Sequence, residues 1–188
     1  MANSDSPRGF QPRRHAYGGQ IRANSYPLAS AYGSDIFTGD AVVLTSGKLA
    51  VATAASTGIL GVFAGCQYTA SDGSVVFSPY WAASTVTSGS GDAVALVYDD
   101  PGIIYRVQTD SGVAFVLATH NLTLADLIAT HAGSTVTGQS GMEVRVGTDG
   151  DEQFLVLQLI DEPGNAVGTN AKVEVKMKDS RLSSTYSA

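Results

Sequence analysis

One cysteine, Cys66, stands in 188 residues, so no disulfide can form within the chain and none can stabilise its fold. Cys66 lies beside an apolar run and reads as a small buried hydrophobe. Charge is also scarce. Asp, Glu, Lys and Arg make up 15% of the residues, against about 25% in an ordinary soluble domain. Such a surface, coated with hydroxyls and not with ion pairs, suits contact with other protein. No apolar run approaches the roughly 20 residues that a helix needs to cross a bilayer. The opening MANSDSPRGF lacks the apolar stretch of a secretory signal. The expectation is a soluble chain made in the cytoplasm, with no membrane partner.

Reactive constellations are missing as well. His15, His120 and His131 do not fall into an H-x-x-x-H spacing, and one cysteine cannot make C-x-x-C, so no metal or cofactor is expected. The loop Asp149, Gly150, Asp151, Glu152 is acidic, but it lacks the order and the distal glutamate of a calcium loop and reads as a hairpin turn. Asp99 and Asp100 precede Pro101 and Gly102, a setting for turn capping. Neither a G-x-S-x-G elbow nor a phosphate-cradling G-x-x-x-x-G-K occurs. The expectation is a protein that is not an enzyme.

What is present is β-forming. Gly39 to Gly65 holds a hairpin, Val42–Leu44 and Leu49–Thr53 around Ser46, Gly47 and Lys48, with a buried strand after it at Ile59–Phe63. Gln67–Thr69 and Ser74–Phe77 flank an Asp72-Gly73 turn, whose positive φ two-residue hairpins require. The hexamer GDAVVL at Gly39–Leu44 nearly recurs as GDAVAL at Gly91–Leu96. Ile103–Val107, Met142–Val146, Phe154–Ile160 and Lys172–Met177 read as further strands. Asn121–His131 has helical spacing, with Leu124, Leu127 and Ile128 on one face and Thr123 or Asn121 as N-cap, and predicts the single helix.

Residues 1–31 differ in character from the rest of the chain. Pro7, Pro12 and Pro27 disfavour helix and central strand. Arg8, Arg13, Arg14 and Arg22 are interleaved with Phe10, Tyr17, Ile21 and Tyr26. This is the pattern of an extended interaction arm, and Arg8, Phe10, Arg13, Arg14, Tyr17, Arg22 and Tyr26 are its candidate partner-binding residues. Residues 32–182 would be the β-rich body and 183–188 a frayed tail. From Ala23 to Ala171 three bases face 14 acids, a balance of −11, which repels nucleic acid and leaves the basic ends to meet acidic protein surfaces.

The order of segments is informative too. A basic, proline-containing arm (RGFQPRRHAYGGQI) precedes GDAVVLTSGKLAVA and ILGVFAG. AVALVYDDPGIIYRVQTD comes next, and the chain ends in FLVLQLIDEPGNAVGTNAKVEVKMKDSRL. Phe77–Trp81 (FSPYW), Val97–Gly102 (VYDDPG) and Asn165–Lys172 (NAVGTNAK) are the most specific pieces. In this order the chain resembles the capsid decoration, or cement, proteins of tailed bacteriophages, over nearly its whole length. The resemblance implies an all-β body, a small barrel or tulip of antiparallel strands. It also implies a homotrimer or dimer on the outer surface of the virion capsid, bound to the major capsid protein, with no enzymatic activity. Two other readings stay open: a tail-associated or receptor-binding protein, and a sugar-binding β-barrel with Tyr80, Trp81 and Tyr98 as its platform.

Overall fold

The computed structural model describes residues 3–147, 150, 152–178 and 180–182. The fold is all-β, built of antiparallel ladders. Its strands are β1 (Gln11–His15), β2 (Asn24–Leu28), β3 (Ile36–Phe37), β4 (Ala41–Thr45), β5 (Lys48–Val51), β6 (Gly61–Thr69) and β7 (Val75–Ser78). They continue with β8 (Tyr80–Trp81), β9 (Ala93–Tyr98), β10 (Ile103–Gln108), β11 (Leu124–Ile128), β12 (Glu143–Val146), β13 (Phe154–Leu159) and β14 (Lys172–Met177). One sheet runs β1-β10-β14-β13-β11-β12, a second runs β2-β9-β6-β4-β5 with β7 also on β6, and β3 pairs with β8.

Each sheet has its own core. Phe10, Tyr105, Phe115, Phe154 and the inward valines of β12 and β14 fill the first, which also takes Ala41 and Val62 from the second sheet and Ile59 from just before β6. Leu28, Ile36, Leu49, Leu60, Phe63 and Trp81 fill the other. Both sheets nearly come round on themselves. β12 returns to the chain just past β10 through one parallel bridge, Thr109 to Val144. β5 lies alongside β2 without a ladder between them. The architecture is therefore two open, curled sheets of antiparallel strands, with no closed barrel among the described residues.

The repeated hexamer has a structural counterpart. β4 and β9 flank β6 on opposite sides, each antiparallel to it. The strands expected at Ile59–Phe63 and Gln67–Thr69 are one nine-residue strand, β6, bent by a register shift between Phe63 and Gly65. Gly65, at φ 134°, supplies the backbone that this bulge needs.

Two expectations are corrected. Asn121–His131 is not a helix. A short α1 (Leu117–His120) precedes it and ends where Leu122 turns to φ 57°, and Leu124–Ile128 is strand β11. Leu124, Leu127 and Ile128 do fit one helical face, but Ala125 and Leu127 are the positions buried, a period of two that β12 and β13 satisfy by pairing on either side. Thr123 caps no N-terminus; its hydroxyl donates to the carbonyl of His120 at 2.9 Å. Residues 1–31 are extended, as proline dictates, but they are not an arm apart from the body. β1 pairs with β10 in the first sheet and β2 with β9 in the second. The predicted frayed tail, 183–188, lies outside the described residues.

Candidate partner-binding surface

The seven residues expected to meet a partner separate by burial. Phe10 is fully buried, stacked on Phe154 with ring centroids 4.5 Å apart and edge-on to Tyr105 at 6.3 Å. Its N–H donates to the Gly39 carbonyl at 2.8 Å. A core side chain of this kind meets no partner, and its place in the interface is withdrawn. Tyr26 also points inward: its hydroxyl donates to Asp99 at 2.5 Å, and desolvation, with that hydrogen bond, pushes the phenol up to about 12.

Arg13 and Arg14 are spent within the chain. Arg13 Nη1 lies 3.1 Å from Glu174, and Arg14 donates to the same carboxylate through Nε at 3.2 Å and Nη2 at 2.6 Å. The Arg14 hydrogen bond is the main cause that holds Glu174 below its ordinary value, against the burial that would raise it. Tyr17 is 79% exposed, with Lys176 Nζ 5.4 Å from its ring centroid. Among the described residues Arg22 reaches Gln20 only, at 3.2 Å. Arg8 is exposed and lines a cleft of about 290 Å³ that Arg106 and Lys172 also line. Glu162 already bridges the last two, at 2.7 and 3.0 Å. Arg8, Tyr17 and Arg22 thus remain outward-facing, while Phe10, Arg13, Arg14 and Tyr26 hold the fold.

The larger exposed feature lies on the second sheet and was missed from sequence. Phe77 on β7 pairs with Gln67 on β6, Gln67 with Val94 on β9, and Val94 with Pro27 on β2. These four side chains form a row across the sheet on its outer face. Leu96 stands one pleat along, opposite Ser25 and Gly65, and Val75 stands opposite Thr69. Phe77 is 74% exposed and Val75 58%, with Val94 and Leu96 also open. None of these positions is charged. Exposed apolar patches that extend beyond scattered single residues mark interaction surfaces. The signal was present as alternation, V-A-L in β9 and V-V-F in β7, but the sequence does not say which phase of an alternation faces the core.

The proposed aromatic platform is not a surface. Trp81 is fully buried, its indole N–H donating to the Tyr32 carbonyl at 3.3 Å. Tyr98 packs against the first core, and Tyr80 stacks on Phe37 at 5.6 Å.

The titratable groups are engaged in structure. His15 Nε2 is 3.1 Å from Asp100, whose other oxygen accepts from the Gly102 N–H at 2.7 Å, closing the expected turn. His120 is buried and accepts from the Val116 N–H at 3.0 Å. His131 Nδ1 is 2.6 Å from Glu143, a buried carboxyl that desolvation raises against the opposing pull of the histidine. Burial pushes the Cys66 thiol up to about 11, which leaves it un-ionised and a poor nucleophile at neutral pH. Among the described residues no three of His, Cys, Asp and Glu gather to hold a metal, and no helix is long and apolar enough to cross a membrane. Asp149 and Asp151 of the acidic loop lie outside the described residues; Glu152 there pairs with Lys178 at 2.9 Å.

No family model, curated protein or solved structure matches this chain.

Proposed function

We propose that this chain is a capsid decoration protein, bound to the outer surface of a tailed-bacteriophage head, where it stabilises the lattice of the major capsid protein. The observation that carries this reading is the uncharged apolar face of the second sheet, the row Phe77, Gln67, Val94 and Pro27 with Val75 and Leu96 beside it. A chain of net charge −6 that keeps this row and its neighbours on the sheet uncharged is built to dock them on protein. The order of segments along the chain supplies the identity of the partner, and Arg8 and Arg22 supply cations that no internal carboxylate claims among the described residues. The protein acts by binding, as a homotrimer or dimer, and transforms no substrate.

The energetics are those of linkage. A protein that binds the assembled lattice and not the separated subunits stabilises the lattice by RT ln(1 + [L]/Kd) per site, about 2.7 kcal/mol at 100 times Kd. Repeated over many sites, even a smaller term resists internal pressure. The experiment compares heads with and without the protein in thermal and osmotic challenge. Undecorated heads should assemble yet burst at lower temperature, and added protein should restore them. The double variant Phe77→Lys, Leu96→Lys should fold but fail to attach. Undecorated heads as robust as decorated ones, or full attachment of the double variant, would remove the reading.

A further inference from the structure

The geometry points to β7 as a self-pairing edge: two copies of this chain join their second sheets by antiparallel pairing of β7 with β7, on a two-fold axis through Val76. Such pairing is independent of docking on a capsid and rests on three other features of the strand.

The first is which backbone groups are free. Among the described residues β7 is bonded to β6 on one side and to no strand on the other. The hairpin bond from the Ala70 N–H to the Ser74 carbonyl, at 2.8 Å, marks that pair as hydrogen-bonded. Hydrogen-bonded and non-hydrogen-bonded pairs alternate along an antiparallel ladder. Tyr68 and Val76 are therefore a bonded pair as well, and Val75 and Phe77 direct their N–H and C=O groups away from β6. Among the described residues nothing accepts from or donates to these four groups.

The second is that this edge is unguarded. Natural sheets protect their edges with proline, charge or bulges. β1 carries Pro12, Arg13 and Arg14, β2 carries Pro27, and β5 begins with Lys48. β7 reads Val-Val-Phe-Ser and has none of these devices.

The third concerns the occupant. Pairing about Val76 sets Val75 opposite the second copy's Phe77 and Phe77 opposite its Val75. Both residues face outward in their own sheet, so the faces match, and the four free groups of each edge find partners. Two chains of net charge −6 repel one another except through a neutral face, which β7 and its neighbours provide. The nearest charge along the strand, Asp72, is four residues from the axis. At about 3.3 Å per residue the two Asp72 side chains stand roughly 26 Å apart. That is well beyond the screening length of about 8 Å in physiological salt.

The test uses the full chain without capsids, so its failure and that of the docking reading are distinguishable. Sedimentation velocity over a concentration series up to about 1 mM should show a reversible monomer–dimer equilibrium. Phe77→Lys, at an exposed position, should weaken it at least tenfold with an unchanged far-ultraviolet spectrum. Val167→Lys, on the exposed loop between β13 and β14 of the other sheet, should not. Val76→Cys should oxidise to a dimer linked through the two introduced thiols, since non-hydrogen-bonded partners lie about 4.5 Å apart at Cα, within disulfide reach. The parent, whose Cys66 is buried, should stay unlinked. A parent that is monomeric throughout or trimeric, a Phe77→Lys variant that dimerises like the parent, or a Val76→Cys protein that forms no such link would each overturn the proposal.

Discussion

Arg14 and Glu174, 160 positions apart, form a two-bond ion pair in which Nε and Nη2 lie 3.2 and 2.6 Å from the two carboxylate oxygens. Glu174 sits on β14 with its side chain 2% exposed, and Arg13 and Gln158 complete its coordination at 3.1 and 3.0 Å. The charge of the N-terminal segment that invited an intermolecular reading is thus half consumed in closing the first sheet at its β1 edge.

The four arginines should therefore behave as two pairs. Arg13→Ala with Arg14→Ala leaves a buried carboxylate short of donors and should cost about 1–3 kcal/mol in urea unfolding. The guanidinium groups are about half exposed, which places the effect toward the low end. Arg8→Ala with Arg22→Ala should leave stability within about 0.5 kcal/mol and weaken attachment to capsids. Glu174 has a folded value below the ordinary 4.5, so its stabilisation is present above that pH and lost as pH falls through the acid range. Equal stability losses from both arginine pairs would contradict the division.

Phe10 makes the N-terminal segment part of the core. Phe10→Ala should destabilise by about 3–5 kcal/mol, the cost of truncating a buried phenylalanine. Removing residues through Ala23 takes away Phe10 and β1 together and should give a chain without cooperative unfolding. A truncated protein with a sharp thermal transition near that of the parent would show the segment to be dispensable.

Asp40 ties a pH dependence to the Gly39-Asp40 turn. Its Oδ2 accepts from the Phe37 N–H at 2.7 Å, yet burial dominates and raises the carboxyl from 3.8 to about 6. The folded state then holds the proton more tightly than the unfolded state, so stability falls as pH rises from about 4 to about 6. Glu143, raised for the same reason, slopes the same way. Asp40→Asn keeps the acceptor and should flatten the fall in melting temperature over that interval. Parallel curves for variant and parent would assign the slope elsewhere.

Gly61 is where β6 passes closest to β9. A Cβ there would lie 2.3 Å from the Tyr98 carbonyl oxygen and 2.8 Å from Val97 Cγ1. Backbone cannot yield that far locally, so Gly61→Ala should cost at least about 1–3 kcal/mol, the usual range for overpacking. Gly47→Ala is a control that separates space from conformation. Gly47 needs positive φ, at 78°, but a Cβ on it would meet nothing within 4 Å. Its smaller loss, measured by the same denaturant titration, reports strain alone.

The sequence by itself determined the all-β class, most strand positions and the tight turns. Those rest on local chemistry: alternation, β-branched residues, and Asp-Gly or Ser-Gly pairs where the backbone must reverse. Proline likewise kept residues 1–31 extended. Tertiary structure decided what local chemistry leaves degenerate. Leu124–Ile128 fits a helical face and a strand equally well, and only the open edges of β12 and β13 chose the strand. Whether Arg14 faced solvent or a partner depended on Glu174, at the far end of the chain. Which phase of V-A-L and V-V-F turned outward was set by the packing of Trp81 and Phe63 beneath the sheet. Pairings between residues this far apart are fixed by burial of the whole, and that is why the exposed apolar face, unlike the turns, could not be read from the chain.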